Sequence, residues 1–427
     1  MLTAARLGAA ALTAALLTGT AAAPALADTP GTGTASAAAI PDGLYGKGDP
    51  GYDGVWRQSL ALTALTAAKV TPADSAVAWL TGQQCADGGW PSYRADASAA
   101  CDPATEDSNA TAVAVQALVA LGGHQDAVDK GVQWFRANQN ADGSWAYNPG
   151  NPGDANSTGL AVNALLAAGA DPAAVAKAGR NAFDGLALFQ LGCAAPAEQR
   201  GGFVYQTSPD GTPAEANGLA SGQASLAAAG GKLPVTNTNR TDAAPKALAC
   251  PEGGAGATAV PRADSGEAAG AYLTARFAAN GQHLTLTLPG AAPAPDYAAT
   301  AWAALGLVQG GHPQQAAGAV DWLAKEGGTW TKGGTDAAAT ATLVLVAQAA
   351  QRDPAAFGGA DLVAQLTALG PAPKATGAAS APATASAPAK KDDGGSLDKY
   401  WPLGIGLLVG IGGGLLLSLQ RKRGQKL

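Results

Sequence analysis

The sequence predicts an all-α protein in which six helix pairs close into a double ring. Apolar stretches of about 12 to 18 residues, separated by Gly, Pro, Asp and Asn, fill the region between the two chain ends. They show little of the alternation typical of strands. Two kinds of helix also alternate along the chain. One kind is marked by an aromatic residue, and the first three of these aromatic residues are each 55 residues apart. Such a period indicates a repeat architecture.

The first series of predicted helices is identified by an aromatic residue and the second by an acid at its start. The aromatic residues are Trp79, Trp134, Phe189, Tyr272 and Trp322. The leading acids are Asp107, Asp154, Glu215, Asp296 and Asp336. In four of the five acid-led helices a Thr stands at the fourth place after the acid, at Thr111, Thr158, Thr300 and Thr340. An opening helix near 55–69 and a last one near 355–369 complete six pairs, 55–84, 107–138, 154–190, 213–279, 296–325 and 335–369.

The two series differ in polarity, and this difference predicts their layers. The acid-led helices are apolar almost all round, as expected for helices buried on most sides. The aromatic-led helices carry more charge and are predicted to form the outer layer. An inner ring of six within an outer ring of six follows. An open solenoid is the alternative, because such repeats bury their faces only against neighbours. The fourth pair contains a Gly/Pro/Ala-rich insertion around 232–262.

Both chain ends are predicted to lie outside this domain. Residues 1–27 have an early Arg6, an apolar stretch and an Ala-Leu-Ala cleavage pattern, which are typical of a secretory signal peptide. Residues 401–419 carry no charge and are followed by a basic tail, as expected for a single transmembrane helix with a cytoplasmic C-terminus. The predicted organisation is therefore, in chain order, signal peptide 1–27, extracellular helical domain 28–369, Ala/Pro-rich stalk 370–400, transmembrane helix 401–419 and cytoplasmic tail 420–427.

Charge and cysteine usage fit an exported protein. Without Arg6 and the four basic residues of the tail, the net charge falls from −6 to about −11. A surface this acidic excludes nucleic acid as a partner. The four cysteines lie in the exported region, where oxidising surroundings favour disulfides. Four cysteines allow three pairings. We favour Cys85–Cys101 and Cys193–Cys250, because each pair closes one loop between predicted helices.

Two segments of the outer series share a motif, "WLTGQQCADGGW" and "KGVQWFRANQNADGSW". They resemble the QW motif of the prenyltransferase and squalene cyclase repeat family. The matching residues are Trp79, Gln84, Gly88 and Trp90 in the first copy and Trp134, Gln139, Gly143 and Trp145 in the second. Later copies are degraded, and the resemblance covers roughly residues 50 to 370. It implies an α6/α6 toroid, a fold that transcobalamin-type vitamin B12 carriers and complement-like thioester domains share. In this resemblance the motif residues are structural.

The catalytic groups that the resemblance implies are not in the sequence of the toroid. Squalene-type cyclases protonate their substrate with an Asp-x-Asp-Asp motif, and no such run occurs there. Protein prenyltransferases hold zinc with an Asp, a Cys and a His. The histidines His124, His283 and His312 do not have that arrangement, and the cysteines are expected in disulfides. We therefore favour a non-catalytic protein that requires neither a metal nor a cofactor.

Polar and aromatic residues of the inner helices are the candidates for ligand binding. Asn109 with Gln116, and Asn156 with Asn163, are each seven residues apart and so share one helix face. In apolar helices such amides either line a cavity or bond to neighbouring helices. Three inner-helix aromatic residues could stack on a ligand or serve packing, and these are Trp56, Tyr297 and Trp302. The five leading acids would ring one rim, where they could attract a cation or simply cap their helices.

The sequence thus predicts a tethered extracellular binding protein that captures a small or hydrophobic, lipid-like ligand for a membrane transport partner. By analogy with B12 carriers, a bound corrinoid such as cobalamin is the leading specific candidate. An enzyme acting on isoprenoids or polysaccharides is the first alternative. A structural or adhesive surface domain is the second.

Overall fold

The computed structural model describes residues 40–208, 214–237, 239–251, 259–287 and 290–375. The predicted signal peptide 1–27 and transmembrane helix 401–419 lie outside these ranges, as does the stalk from residue 376 onward. Within the described ranges, no helix combines the length and the apolar character needed to cross a membrane.

The described residues contain twelve α-helices in six consecutive pairs. The first member of each pair is α1 (Pro50–Ala67), α3 (Ser108–Leu121), α5 (Ala155–Ala167), α7 (Gly218–Ala228), α9 (Tyr297–Gln309) or α11 (Ala337–Ala349). The second member is α2 (Asp74–Gly82), α4 (Gln125–Asn138), α6 (Ala182–Ala187), α8 (Arg262–Ala279), α10 (Pro313–Trp330) or α12 (Leu362–Ala368). Two short antiparallel ribbons were not predicted, and they pair β1 (Ala176–Lys177) with β2 (Arg180–Asn181) and β3 (Leu284–Leu286) with β4 (Ala294–Asp296).

The odd-numbered helices form a closed ring. Each contacts the next in order, and α1 contacts both α3 and α11, so the last pair meets the first. Each even-numbered helix packs on the outside of its own partner. The structure therefore has the closed double ring rather than the open solenoid, and its mostly helical content agrees with the predicted all-α class.

Burial follows the two layers as the polarity of the helices predicted. Helices α9 and α11 are buried along nearly their whole length, since their side chains meet neighbours on both sides and the opposite wall. The outer helix α4 buries only Val128, Gly131, Trp134 and Phe135 and leaves its charged residues in solvent. The hydrophobic core is thus the inner ring together with the inward stripe of the outer helices.

A hydroxyl near the start of four inner helices fixes the chain segment that precedes the helix. Thr111 accepts a hydrogen bond from the backbone N–H of Trp90, and Thr158 accepts one from Trp145. The same bond joins Ser221 to Phe203 and Thr300 to Leu284. Because each of these backbone groups is buried, the hydroxyl provides a partner that water cannot. This explains three of the four threonines at the fourth place after an acid, whereas the hydroxyl of Thr340 donates to the backbone carbonyl of Asp336.

The motif glutamines and glycines join each repeat to the next. The side-chain amide of Gln84 donates to the carbonyls of Gly88 and Ala127, at 3.1 and 2.9 Å. Gln139 does the same with Gly143 and Val175. Gly88 has a φ of +106°, and a β-carbon there would lie 2.2 Å from the carbonyl oxygen of Lys130 on the next outer helix. Only glycine fits this left-handed, closely packed position.

The insertion after α7 runs across the C-terminal ends of the inner helices. The N–H of Leu233 donates to Gln116 of α3 at 2.8 Å, and Arg240 donates to the last carbonyl of α11, Ala349, at 3.0 Å. Asn237 donates to the carbonyl of Gln309 at the end of α9. Leu233 is also buried in the core. We refer to residues 231–237 and 239–241 as the floor, because they lie across this end of the ring.

Two expectations from the sequence need correction. Glu215 does not lead an inner helix. It is exposed, and α7 begins at Gly218 with Asn217 as its cap, whose side chain accepts from the N–H of Ala220. An amide caps a helix as well as a carboxylate does. The acid-led pattern therefore predicted the helix cap two residues before its actual position at Asn217. The outer helix of the third pair is also much shorter than expected, since α6 is only 6 residues long and the first ribbon precedes it.

The four cysteines form two disulfides in the favoured pairing. Cys85 bonds to Cys101, and Cys193 bonds to Cys250. The first closes the loop that follows the QW glutamine of the first repeat. The second ties the segment after α6 to the insertion that follows the floor. Among the residues that the structure describes, no cysteine is free.

Candidate functional site

A cavity of about 460 Å³ opens at the N-terminal ends of the inner helices, opposite the floor. We call this cavity the mouth. Its volume falls within the range of small-molecule sites. The walls combine three carboxylates, three amides, one hydroxyl and four aromatic side chains. The residues with these groups are Asp53, Asp107, Asp336, Asn109, Asn156, Gln223, Ser92, Tyr52, Trp56, Tyr147 and Trp330.

One wall of the mouth comes from the first turns of α1. Asp53 has non-helical dihedral angles and kinks the helix, and its carboxylate forms an ion pair with Arg57 one turn later. Arg57 is almost fully buried, because its guanidinium also donates to the backbone carbonyls of Tyr45, Gly48 and Asp49. Burial raises the pKa of Asp53, and the ion pair with Arg57 only partly opposes this rise.

The neighbouring wall is organised around Asp107. Its carboxylate caps α3 by accepting from the N–H of Ala110, and it accepts from the Ser92 hydroxyl at 3.0 Å. The phenol oxygen of Tyr147 lies 3.5 Å from the same hydroxyl. Burial raises the pKa of Asp107, and its hydrogen bonds only partly offset this effect. Burial, followed by the nearby Asp107 carboxylate, likewise raises the pKa of Tyr147.

The amides Asn109 and Asn156 occupy equivalent positions in the first turns of α3 and α5. The Asn156 amide donates to the side-chain oxygen of Gln223 on the neighbouring inner helix α7 at 2.6 Å. The side-chain oxygens of both Asn109 and Asn156 are buried and have no hydrogen-bond partner in the described structure. A buried, unpaired acceptor costs free energy. A ligand that donates a hydrogen bond to these oxygens would therefore gain binding free energy, because it would remove that cost.

The aromatic wall is held in place by a second layer of rings. Trp56 packs against Trp302, with ring centroids 6.3 Å apart. Trp330 stacks on Tyr297, which in turn contacts Trp322, at 6.2 and 4.8 Å between centroids. Because these contacts fix the rings that line the mouth, the wall is preorganised for a ligand.

Among the predicted binding residues, Trp56, Asn109 and Asn156 line the mouth, and four others do not. Tyr297 and Trp302 support the aromatic wall from behind. Gln116 accepts from the N–H of Leu233, so it holds the floor. Asn163 is fully buried, and neither its amide nitrogen nor its oxygen has a partner in the described residues.

The predicted rim acids have separate roles. Asp107, Asp154, Asp296 and Asp336 each cap an inner helix through a backbone N–H of the first turn. Of these four, only Asp107 and Asp336 also line the mouth. Glu215, as described above, caps no helix.

Sequence reasoning missed about half of the mouth. Ser92 and Tyr147 lie in loops between helices, Asp53 lies at the kink in α1, and Trp330 is the last residue of α10, so none of them is one of the residues that mark the two helix series. One signal was available for two of them. Ser92 and Tyr147 each follow the last tryptophan of a QW copy by two residues. In both, the backbone carbonyl accepts from the first turn of the preceding inner helix, at Val55 and Ser108.

The mouth presents carboxylates, amides and aromatic faces, which can bind a ligand by hydrogen bonds and aromatic contact. In the described ranges, a group of three side chains with metal-binding geometry is formed only by Cys85, Cys101 and Glu106, outside the mouth. The two cysteines of that group are joined to each other, so their sulfurs are not available as thiolates. Burial and the neighbouring Asp87 carboxylate raise the pKa of Glu106 to about 7, although its hydrogen bond from Trp134 favours the charged form.

Comparison with known proteins gives one family. Residues 42–159 match the model of the squalene-hopene cyclase C-terminal domain. The match spans α1 to α4 and the first turn of α5, and so includes both complete QW copies and the Asp107 wall of the mouth. A search of curated proteins found no match. Over residues 42–159 the chain is therefore similar to the squalene-hopene cyclase C-terminal domain, which supports the resemblance to the prenyltransferase and squalene cyclase repeat family.

Proposed function

We propose that the protein is an exported, membrane-anchored binding protein that takes up a small molecule through the mouth of its toroid. One observation carries the proposal: the ring is closed at one end by the floor and open at the other into a cavity with unpaired buried amide oxygens. Polar groups of this kind fix the orientation of a ligand, and the surrounding aromatic surface supplies most of the contact area.

The anchoring and the membrane transport partner rest on the terminal segments of the sequence alone. Disulfides in the helical domain agree with an oxidising compartment outside the cytoplasm. A corrinoid stays our specific candidate from the analogy with B12 carriers. The mouth is near the lower end of the size range of drug-sized sites, so it favours a smaller ligand or the insertion of one part of a corrinoid.

Tryptophan fluorescence offers a direct test, because Trp56 and Trp330 both line the mouth. We would titrate the full chain with cobalamins, with polyprenyl compounds and with small polar aromatic molecules. A saturable change is expected with at least one class. The variant Ala338→Phe, which places a ring in the mouth, should abolish it. The variant Ala141→Phe, at an exposed turn residue, is the matched control and should bind as the natural chain does.

A second candidate function is cyclisation of an isoprenoid, which the family match favours. Asp107 would be the proton donor, since burial raises the pKa of its carboxyl, and the aromatic wall would stabilise a carbocation. Incubation with linear polyprenyl substrates, followed by chromatography for isomers of unchanged mass, distinguishes the two functions. Conversion that is lost in Asp107→Asn would favour the cyclase, and binding without conversion would favour the binding protein.

A further inference from the structure

We propose that the ligand of the mouth is a small organic cation, an amine or ammonium compound with an apolar or aromatic body. This inference rests on the proposed function, because it assigns a chemical class to the ligand of the same cavity. The carboxylates and the aromatic faces of the mouth carry it, together with the buried unpaired oxygen of Asn156.

The charges around the mouth are not balanced. Carboxylates of Asp53, Asp107 and Asp336 line it, whereas no Lys, Arg or His is among the described residues that form its wall. Arg57 pairs with Asp53 from behind the wall. Lys332 pairs with Asp336 from a largely exposed position, where an ion pair contributes little.

Of the three carboxylates, Asp107 is the one that has no cationic side chain beside it among the described residues. Its side chain is 3% exposed, and its partners are a hydroxyl and backbone N–H groups. A desolvated carboxylate without a counter-charge is costly. A cationic ligand in the mouth would supply the missing charge at low dielectric, where the attraction is stronger than in water.

The aromatic residues suit the same class of ligand. Trp56, Tyr147 and Trp330 contribute ring surface to one cavity, and two of them are fixed by a second layer of rings. A cation held near the face of such rings is attracted by their quadrupole. Tyr52 is 87% exposed at the entrance and adds a further ring on the path of the ligand.

An independent observation points to an N–H donor. Asn156 is 7% exposed and lines the mouth, and its buried side-chain oxygen has no partner. The equivalent oxygen of Asn109 is also unpaired. Protonated primary and secondary amines supply both a positive charge to pair with Asp107 and N–H groups that can donate to these oxygens.

Three indole compounds of similar size distinguish the effect of ligand charge on binding from the effect of ligand shape. Tryptamine is cationic, tryptophol is neutral, and indole-3-acetate is anionic near neutral pH. Calorimetric titration of the full chain should give an affinity for tryptamine about tenfold or more above that for tryptophol. Indole-3-acetate should bind weakest. Added salt should weaken tryptamine binding and leave tryptophol binding nearly unchanged.

Two variants test the role of the carboxylate. Asp107→Asn keeps a good helix cap but removes the charge, and it should reduce tryptamine affinity about tenfold. Asp154→Asn is the matched control, since Asp154 caps the next inner helix without lining the mouth. It should bind tryptamine as the natural chain does. Asp336→Asn is a second cavity variant for the case that Asp107→Asn does not fold.

The outcomes separate this inference from the proposed function. Equal affinity for all three indoles, or equal loss in the Asp107 and Asp154 variants, would overturn the cation inference. If tryptophol or a polyprenyl compound then still binds in the mouth, the proposed binding function stands. If none of the indoles, polyprenyl compounds and cobalamins binds, both proposals fail.

Discussion

The side-chain hydroxyl of Thr111 lies 2.9 Å from the backbone nitrogen of Trp90 and accepts its hydrogen bond. The two residues belong to different segments, the first turn of α3 and the end of the QW motif that precedes it. The bond therefore sets the position of the motif tryptophan relative to the inner helix. The same pairing recurs in three other repeats.

Replacing Thr111 with Val should destabilise the fold by about 1–3 kcal/mol, because the buried N–H of Trp90 loses its acceptor. Thr63→Val is the matched control. Thr63 is equally buried, but its hydroxyl donates only to a carbonyl of its own helix, Ser59. Its loss should cost less than about 1 kcal/mol. Urea unfolding of the two variants measures the difference, and equal losses would contradict the role assigned to Thr111.

Glu106 should make stability depend on pH. Burial raises its pKa from the ordinary value of 4.5 to about 7. The folded state then holds the proton more tightly than the unfolded state. The stabilisation is complete below pH 4.5 and is lost as the pH rises to about 7. The full effect amounts to roughly 3 kcal/mol at most.

The variant Glu106→Gln imitates the protonated acid at every pH. Its amide oxygen can still accept from Trp134, and its amide nitrogen can donate toward Asp87. We expect the variant and the natural chain to be similarly stable near pH 4.5 and the variant to be more stable near pH 8. Urea unfolding at both values checks this. A stability difference that does not change with pH would rule out the titration of Glu106 as its source.

The two disulfides should differ in their contribution to stability. Cys85–Cys101 links residues 16 apart, and Cys193–Cys250 links residues 57 apart. Loop-closure entropy gives about 3 kcal/mol for the first and about 4 kcal/mol for the second. Paired Cys→Ala variants, compared by thermal unfolding, should show a larger loss at Cys193 and Cys250. A larger loss at Cys85 and Cys101 would mean that local packing, not chain entropy, dominates.

The floor should loosen when Gln116 is changed. In Gln116→Met the N–H of Leu233 loses its acceptor, which costs about 1–3 kcal/mol locally. Hydrogen exchange of the segment 229–237 should become faster, whereas exchange in α10 should stay the same. Unchanged protection of Leu233 would show that burial alone holds the floor. Ligand affinity in the mouth provides a second measurement from the same variant.

The fold could be predicted because the repeat period is visible in the residue pattern of the helices themselves. The spacing of the outer aromatic residues and the apolar inner helices define the pairs, and closure follows from their number. Exceptions arise where a different residue has the same role. Asn217 and Ser221 replace the acid and the threonine in the fourth pair. Gln190 is a third QW glutamine, which bonds the carbonyls of Gly201 and Ser265, but an insertion separates it from its glycine.

The mouth was less predictable, because its walls come from several short segments that only the closed ring brings together. Asp53 lies at the kink in the first turns of α1 and Ser92 lies in the loop between α2 and α3, so no single helical pattern contains both. Gln116 illustrates the opposite case. Its spacing from Asn109 predicts that the two amides share one helix face, but its partner Leu233 lies 117 residues away in the chain, and no local pattern indicates that bond.

The floor determines how a ligand can enter and leave the toroid. Because the floor lies across one end of the ring, a ligand must leave by the route through which it entered. A partner protein that covered the opening would then trap the ligand unless the partner itself offered the next binding surface. Tyr147 and Tyr205, 44% and 47% exposed and each two residues beyond the buried aromatic residue of its repeat, lie where such a partner would first make contact. Uptake of a ligand from solution and its transfer to a partner would then both require the same opening, so the two processes would compete.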